Sequence, residues 1–420
     1  MEGFSPKLTW PEADVGSRFA VSRRMPNRQD GVGACGRAEA LALALTVRSR
    51  RLIHGEPPLT GAVTTELTFA LAAAGLLLGG LLWLNRYGSL PAYRDGSGRT
   101  VPGSVSEVRA LTLGGYRQWV TLRGPSARAP ILVWLSGGPG LDESFMLRRF
   151  NGDLEQRYLV AYWVQRGAGR SFDRRLDPAS LTIDQFVSDL DELVTYLGRR
   201  FGERKVVLVG HSWGTVVGVE YAALHPEKVA AYIGIGQVTD MPENERRGYD
   251  FAMAEATRHH DRKAVGVLRR VGPPPYSVTA MLAQRKVVAA YGGAFHQPLS
   301  MARMIWWSLE TSRGAWLDLL RFLPAQSLSL RSLWPELSRL ELSVTRPELE
   351  VPVAIFAGRY DRQVSAELAY RFFERLKAPR KHFEWFEQSA HSPQFEEPAR
   401  FNAALVDTLD RLLSPTAPRA

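Results

Sequence analysis

The sequence predicts an α/β fold: a mostly parallel, eight-stranded sheet with helices on both faces and a helical domain inserted late in the chain. Three observations predict it. Short apolar runs such as Ile131–Leu135 and Val229–Ile235 alternate with amphipathic stretches such as Ile183–Phe201, the pattern of parallel strands covered on both faces. The alternation stops between Asp240 and Leu349, where only helical spacing is found, and resumes at Val351. Finally, 420 residues at 45% hydrophobic content can bury a large core.

Residues 1–61 are rich in Arg, Gly, Pro and Ala without a sustained period and read as a disordered tail. Within them, Gly31–Gly36 matches a dinucleotide-binding fingerprint by letter, but a polar, proline-broken stretch precedes it instead of a strand, so the match is coincidental. Residues 62–86 read as a transmembrane anchor. Leu67–Leu84 carries eighteen residues without a charge, ending in Trp83 and then Arg86. A single-pass membrane location follows as the expectation, with a lipid bilayer as partner and the globular domain outside the cytoplasm. Residues 87–104 form a linker, and 105–239 the first part of the sheet domain. Its strands are expected at Val108–Leu113, Gln118–Leu122, Ile131–Leu135, Tyr158–Val164, Lys205–Val209 and Val229–Ile235. Residues 240–349 form the helical insertion, with helices at Arg246–Val271, Val278–Tyr291 and Met301–Glu310. Residues 350–420 complete the sheet with Val351–Ala357 and His382–Phe386, then a helix near Pro398–Leu413.

The net charge of +10 does not indicate a nucleic-acid partner. Only seven of the 53 basic residues are lysine, and the arginines are scattered without interleaved aromatics. One cysteine, Cys35, excludes an internal disulfide and a multi-cysteine metal site.

Chemistry concentrates in Gly210-His-Ser-Trp-Gly214, between an apolar strand and a helix. In a G-x-S-x-G turn the serine is held in a strained conformation with its hydroxyl exposed, and a side chain at either glycine would strike the strand or helix across the turn. A serine hydroxyl is a weak nucleophile without an imidazole to take its proton and a carboxylate to fix the imidazole's tautomer. Asp361 and His391 each follow one of the two returning strands, so Ser212, Asp361 and His391 gather at one sheet edge as a nucleophile–acid–base set. Asp240, after the sixth strand, is the rival acid. Backbone donors for the developing oxyanion are expected from Trp213 and from Gly137 and Gly138 in the loop after the third strand. His211 packs behind the turn, His259-His260 lies on a solvated face, and Trp306-Trp307 packs in the core of the insertion.

The segments SGGPG (136–140), QRGAGRS (165–171), GHSWGT (210–215), GRYD (358–361) and SAHS (389–392), with a helical insertion after the sixth strand, resemble the proline iminopeptidase branch of the α/β-hydrolase superfamily. The resemblance covers Val105 to the C-terminus. It implies an α/β-hydrolase fold and a serine hydrolase, free of cofactor and metal, whose helical cap covers the site and which removes an N-terminal residue from a small peptide through an acyl-enzyme. Two positions depart from the family's HGGPG and DQRG: Ser136 stands for the histidine and Val164 for the aspartate. An aminopeptidase must meet a protonated α-amine with carboxylates, and Glu243, Glu245, Glu255 and Glu310 in the insertion are the candidates. Hydrolysis of a small carboxylic ester by the same triad is the alternative, and a non-catalytic binding module on this fold the third.

Overall fold

The structure, a computed structural model, describes residues 62–87, 90–202, 204–297, 300, 306–307 and 316–414. The expected tail, Cys35 and Glu310 lie outside these residues. The chain divides into two compact units, Met1–Leu76 and Leu77–Ala420.

Helix α1 spans Ala62–Tyr87. The expected transmembrane anchor is corrected here: among the described residues no helix is long and apolar enough to cross a membrane. The single-pass location, the bilayer as partner and the assigned orientation fall with it. The expected linker packs on the sheet domain: Tyr93 is buried and donates its hydroxyl to the Glu155 carbonyl, and Arg123 Nη1 donates to the Pro91 carbonyl.

The sheet contains β1 (Val105–Leu113), β2 (Tyr116–Gly124), β3 (Ile131–Leu135), β4 (Leu159–Val164), β5 (Val206–His211), β6 (Val229–Ile235), β7 (Val353–Gly358) and β8 (Lys381–Phe386). Their order is β1-β2-β4-β3-β5-β6-β7-β8. β1 and β2, and β2 and β4, pair antiparallel, and every other pair is parallel. Alternate residues of each strand serve opposite faces. In β3, Ile131, Val133 and Leu135 join one core cluster and Leu132 and Trp134 the other. The first cluster takes the apolar stripe Phe186, Leu190, Leu193 and Leu197 of α3 (Ile183–Phe201), which starts where the Thr182 hydroxyl accepts the Gln185 N–H. The second takes Leu147 of α2 (Ser144–Phe150) and Phe401, Leu405 and Leu409 of the C-terminal helix Pro398–Leu413. Because β3, β5, β7 and β8 run parallel, the loops after them converge at one edge of the sheet.

After β5 comes α4 (Trp213–Leu224), and after β6 the chain turns helical: α5 (Met241–Arg258), α6 (Arg262–Val271), α7 (Val278–Ala290), α8 (Trp316–Leu337) and α9 (Leu342–Thr345). The single helix expected over Arg246–Val271 is two. His260 adopts φ +52° and Asp261 caps the second helix by accepting the Ala264 N–H, so the polar triplet His259-His260-Asp261 breaks the periodic stretch. The expected core position of Trp306 is also corrected. Trp306 is 65% exposed, while Trp307 packs edge-on against Phe150 at 4.9 Å. Consecutive helical residues point about 100° apart, which lets one ring pack while its neighbour faces outward. Most of the helix expected at Met301–Glu310 lies outside the described residues.

Candidate active site

The turn after β5 is built by close backbone approach. Ser212 adopts φ +51° and ψ −115°, a conformation few side chains tolerate, and its N–H donates to the Ile235 carbonyl at 2.8 Å. A Cβ on Gly214 would collide with the Leu135 carbonyl oxygen, and one on Gly210 would come within 2.6 Å of the Gly214 carbonyl oxygen. Only glycines let β5, β3 and α4 meet this closely. The turn is pinned further by Thr215, whose hydroxyl donates to the Ser212 carbonyl at 2.6 Å and accepts the Val238 N–H at 3.0 Å.

Asp361 and His391 meet beside this turn. Asp361 Oδ1 accepts the N–H groups of Gln363 and Val364 at 3.0 and 2.9 Å, which leaves Oδ2 to face His391 Nδ1 at 2.8 Å. Both side chains are buried. His391 Nε2 is buried without a hydrogen-bond partner, so it is the ring nitrogen available to a proton from outside the pair. The rival acid, Asp240, is used otherwise: its side chain caps α5 by accepting the Glu243 N–H at 3.0 Å.

Of the three backbone donors expected for an oxyanion, Trp213 and Gly138 have N–H groups without a partner among the described residues. Gly137 does not, because its N–H donates to Glu143 Oε2 at 2.7 Å. It is therefore removed from the set of available donors. The Trp213 indole is anchored by Gln165 Oε1 at 2.9 Å, and the neighbouring Arg166 forms a buried bidentate pair with Asp189. These contacts explain the Gln-Arg pair of the QRGAGRS segment as bracing. Ser136 and Val164 are buried at the ends of β3 and β4, and neither lines the cavity over Ser212.

That cavity has a volume of about 340 Å³ and is mostly apolar. Pro139, Leu141 and Met146 come from the β3 side, and Met241, Met281, Phe322, Leu330 and Trp334 from the insertion. The glutamates expected to meet an amine are largely engaged elsewhere. Glu243 binds Arg246 and Arg247, and Glu255 binds Arg258. Glu245 is buried and paired with Arg285, which itself lines the cavity; Glu245 Oε2 and Arg285 Nη1 are both left without partners.

The carboxylates that do line the cavity, Asp142 and Glu143, come from the loop after β3. Burial pushes the Asp142 carboxyl above its ordinary range. Glu143 Oε1 faces His211 Nδ1 at 2.7 Å, and His211 Nε2 faces the His391 carbonyl oxygen at 3.1 Å. Burial opposes the charged form of His211, but Glu143's charge and hydrogen bond outweigh it and hold the imidazole above its ordinary value. On the far side of His391, Glu396 accepts the N–H groups of Ala390, Ser392 and His296. Sequence reasoning missed Asp142, Glu143 and Glu396. The first two carried a signal, two adjacent acids one residue beyond a Gly-Pro-Gly loop, whereas nothing local distinguishes Glu396 from its neighbour Glu397.

The model of the alpha/beta hydrolase family matches residues 132–404. The chain belongs to the alpha/beta hydrolase family. This hydrolase is 29% identical over 311 residues to the Bacillus subtilis protein named "Probable aminopeptidase YbaC", covering 73% of this chain and 96% of that one. It is 24% identical over 286 residues to a proline iminopeptidase of Heyndrickxia coagulans, covering 67% and 91%. The crystal structure of a proline iminopeptidase-related protein from Thermus thermophilus superposes with a TM-score of 0.55 at 21% identity, covering 74% and 99%, which shows a shared fold. The chain is thus a serine hydrolase of the α/β-hydrolase type, in the branch that resembles proline iminopeptidases.

Proposed function

We propose that this hydrolase works through a Ser212–Asp361–His391 triad and an acyl-enzyme, releasing an N-terminal residue from short peptides. The observation that carries the reading is the Asp361–His391 pair, with one carboxylate oxygen locked by two backbone N–H groups and an unpartnered Nε2 on the opposite side of the imidazole. In this mechanism His391 Nε2 takes the Ser212 proton as Oγ attacks the carbonyl. Asp361 holds the tautomer with the proton on Nδ1, and the N–H groups of Trp213 and Gly138 receive the oxyanion. Collapse of the intermediate expels the amine, which takes the proton from His391, and water then cleaves the acyl-enzyme by the same steps in reverse roles. Residues 240–349 act as the cap: their apolar side chains close the cavity and exclude water.

A fluorophosphonate probe should label the protein and Ser212→Ala should abolish labelling; labelling that persists would move the nucleophile elsewhere. If the amine is recognised, free N-terminal substrates should be turned over about 10²-fold faster than N-acetylated ones. Equal turnover would favour the second reading, carboxylic-ester hydrolysis. That reading has its own support: Glu243, Glu245 and Glu255 are paired with arginines, and the cavity wall is mostly apolar.

A further inference from the structure

One carboxylate ties together the three loops that the proposed reaction must hold in register. Glu143 Oε2 accepts the Gly137 N–H from the loop after β3, and Oε1 faces His211 Nδ1 from the turn after β5. His211 Nε2 in turn faces the His391 carbonyl from the loop after β8 at 3.1 Å. Both ring nitrogens of His211 are thereby engaged, Nδ1 by the Glu143 carboxylate and Nε2 by the His391 carbonyl and, at 3.4 Å, the Ser392 hydroxyl. The result is a largely buried His211–Glu143 contact one residue from Ser212.

We propose that Glu143 is a positioning residue for hydrolysis: it holds the Gly137 N–H out of the oxyanion hole and braces His211 against the His391 loop, so that Gly138 supplies the loop's oxyanion donor. This rests on the serine-hydrolase reading above. Gly137 and Gly138 are adjacent, and a peptide chain that commits one N–H to a fixed acceptor restricts the orientation of the next peptide plane. Without Glu143 the Gly137 amide is free to turn toward the cavity and the Gly138 amide away from it. A charged acceptor makes the tie strong, since hydrogen bonds to an ionised group are about twice as strong as neutral ones. Glu143 also lines the cavity, so solvent or substrate would compete for the Gly137 N–H if the carboxylate were withdrawn. The same side chain sets the distance between Ser212 and His391, because the loops carrying them are joined through His211.

Glutamine keeps the shape and can still join Gly137 to His211, accepting with Oε1 and donating with Nε2, but it lacks the charge. Alanine breaks the bridge. With a p-nitrophenyl ester as substrate, Glu143→Ala should lower kcat about 10²-fold with KM within threefold, the scale of one displaced oxyanion donor. A trifluoromethyl ketone, which forms the tetrahedral adduct on Ser212, should lose affinity in parallel with kcat. Glu143→Gln should recover kcat and ketone affinity to about three- to tenfold below wild type. Circular dichroism melts accompany both variants; if Glu143→Ala does not fold, Glu143→Gln decides. Wild-type kcat and ketone affinity in either folded variant, or a rise in KM at unchanged kcat, overturns the proposal. A failure of the serine-hydrolase reading looks different, because fluorophosphonate labelling of wild type would then survive Ser212→Ala.

Discussion

The loops at the sheet edge and the helices of residues 240–349 both contact the cavity, but they hold their residues in different ways. At the edge, main chain meets main chain: Gly214 lies against the Leu135 carbonyl, the Ser212 N–H is spent on Ile235, and Asp361 Oδ1 on two backbone N–H groups. In the insertion, side chains meet side chains. Arg246 and Arg247 bind Glu243, Arg258 binds Glu255, and Ala252, Ala256, Leu268, Val287 and Val288 form a small core of their own. A backbone contact has one geometry, whereas long charged side chains can be exchanged without moving the helix that carries them. The sheet edge therefore tolerates little change. The insertion's side-chain pairs can be exchanged at less cost.

The largest effect should come from the acid of the proposed triad. Asp361→Asn should cut kcat about 10³ to 10⁴-fold, while Asp240→Asn, a change at a helix cap, should leave kcat within twofold and cost about 1 kcal/mol or less in a denaturant melt. Equal losses in the two variants would erase the distinction between an edge acid and a capping acid. Gly214→Ala should destabilise by about 3 kcal/mol or more in the same melt, since its Cβ meets the Leu135 backbone and backbone cannot step aside as a side chain can. A shift under about 1 kcal/mol would mean that the edge relaxes more like the insertion.

A third comparison uses pH. Burial pushes the Glu396 carboxyl up to about 7, with the Asp361 charge adding to the shift and three backbone N–H groups opposing it. The ordinary value is 4.5, so the folded state keeps a proton that the unfolded state releases between these values. The contribution to stability is full below pH 4.5 and is lost as pH rises through 7, by at most about 3 kcal/mol. Denaturant melts across this window should show the slope, and Glu396→Gln should flatten it; an unchanged slope would assign the proton elsewhere. The smallest effect belongs to the insertion's surface. Glu255→Gln, which loses the Arg258 pair on a helix, should change stability by less than about 0.5 kcal/mol and kcat by less than twofold. A tenfold loss of kcat would instead mean that Glu255 acts on substrate.

Legibility followed the same division. Strand positions were readable because buried parallel strands are continuous apolar runs, and Ile131–Leu135 and Val229–Ile235 were located to the residue. Ser212, Asp361 and His391 stood out because each follows an apolar strand by a few residues, Ser212 between two glycines. In the insertion the periodic signal ran through His259–Asp261, where the backbone breaks, and gave Trp306 a core place it does not have. The apolar stretch in α1 misled differently: hydropathy alone was read as a membrane span, while no described helix is long and apolar enough to cross a membrane.

What the sequence by itself determined is the layered, mostly parallel sheet, because apolar runs and amphipathic stretches are local patterns that repeat every few residues. The tertiary structure decided which groups are free to act. That Gly137 spends its N–H on Glu143 while Gly138 does not, that Asp361 has one oxygen tied and one aimed at His391, and that Glu245 is matched by Arg285 all depend on partners distant in the chain or on the path of a loop. The physical reason is that a hydrogen-bonding group carries no mark in the sequence of whether folding will satisfy it. Only the positions of its neighbours in space settle whether a donor or acceptor is left for substrate.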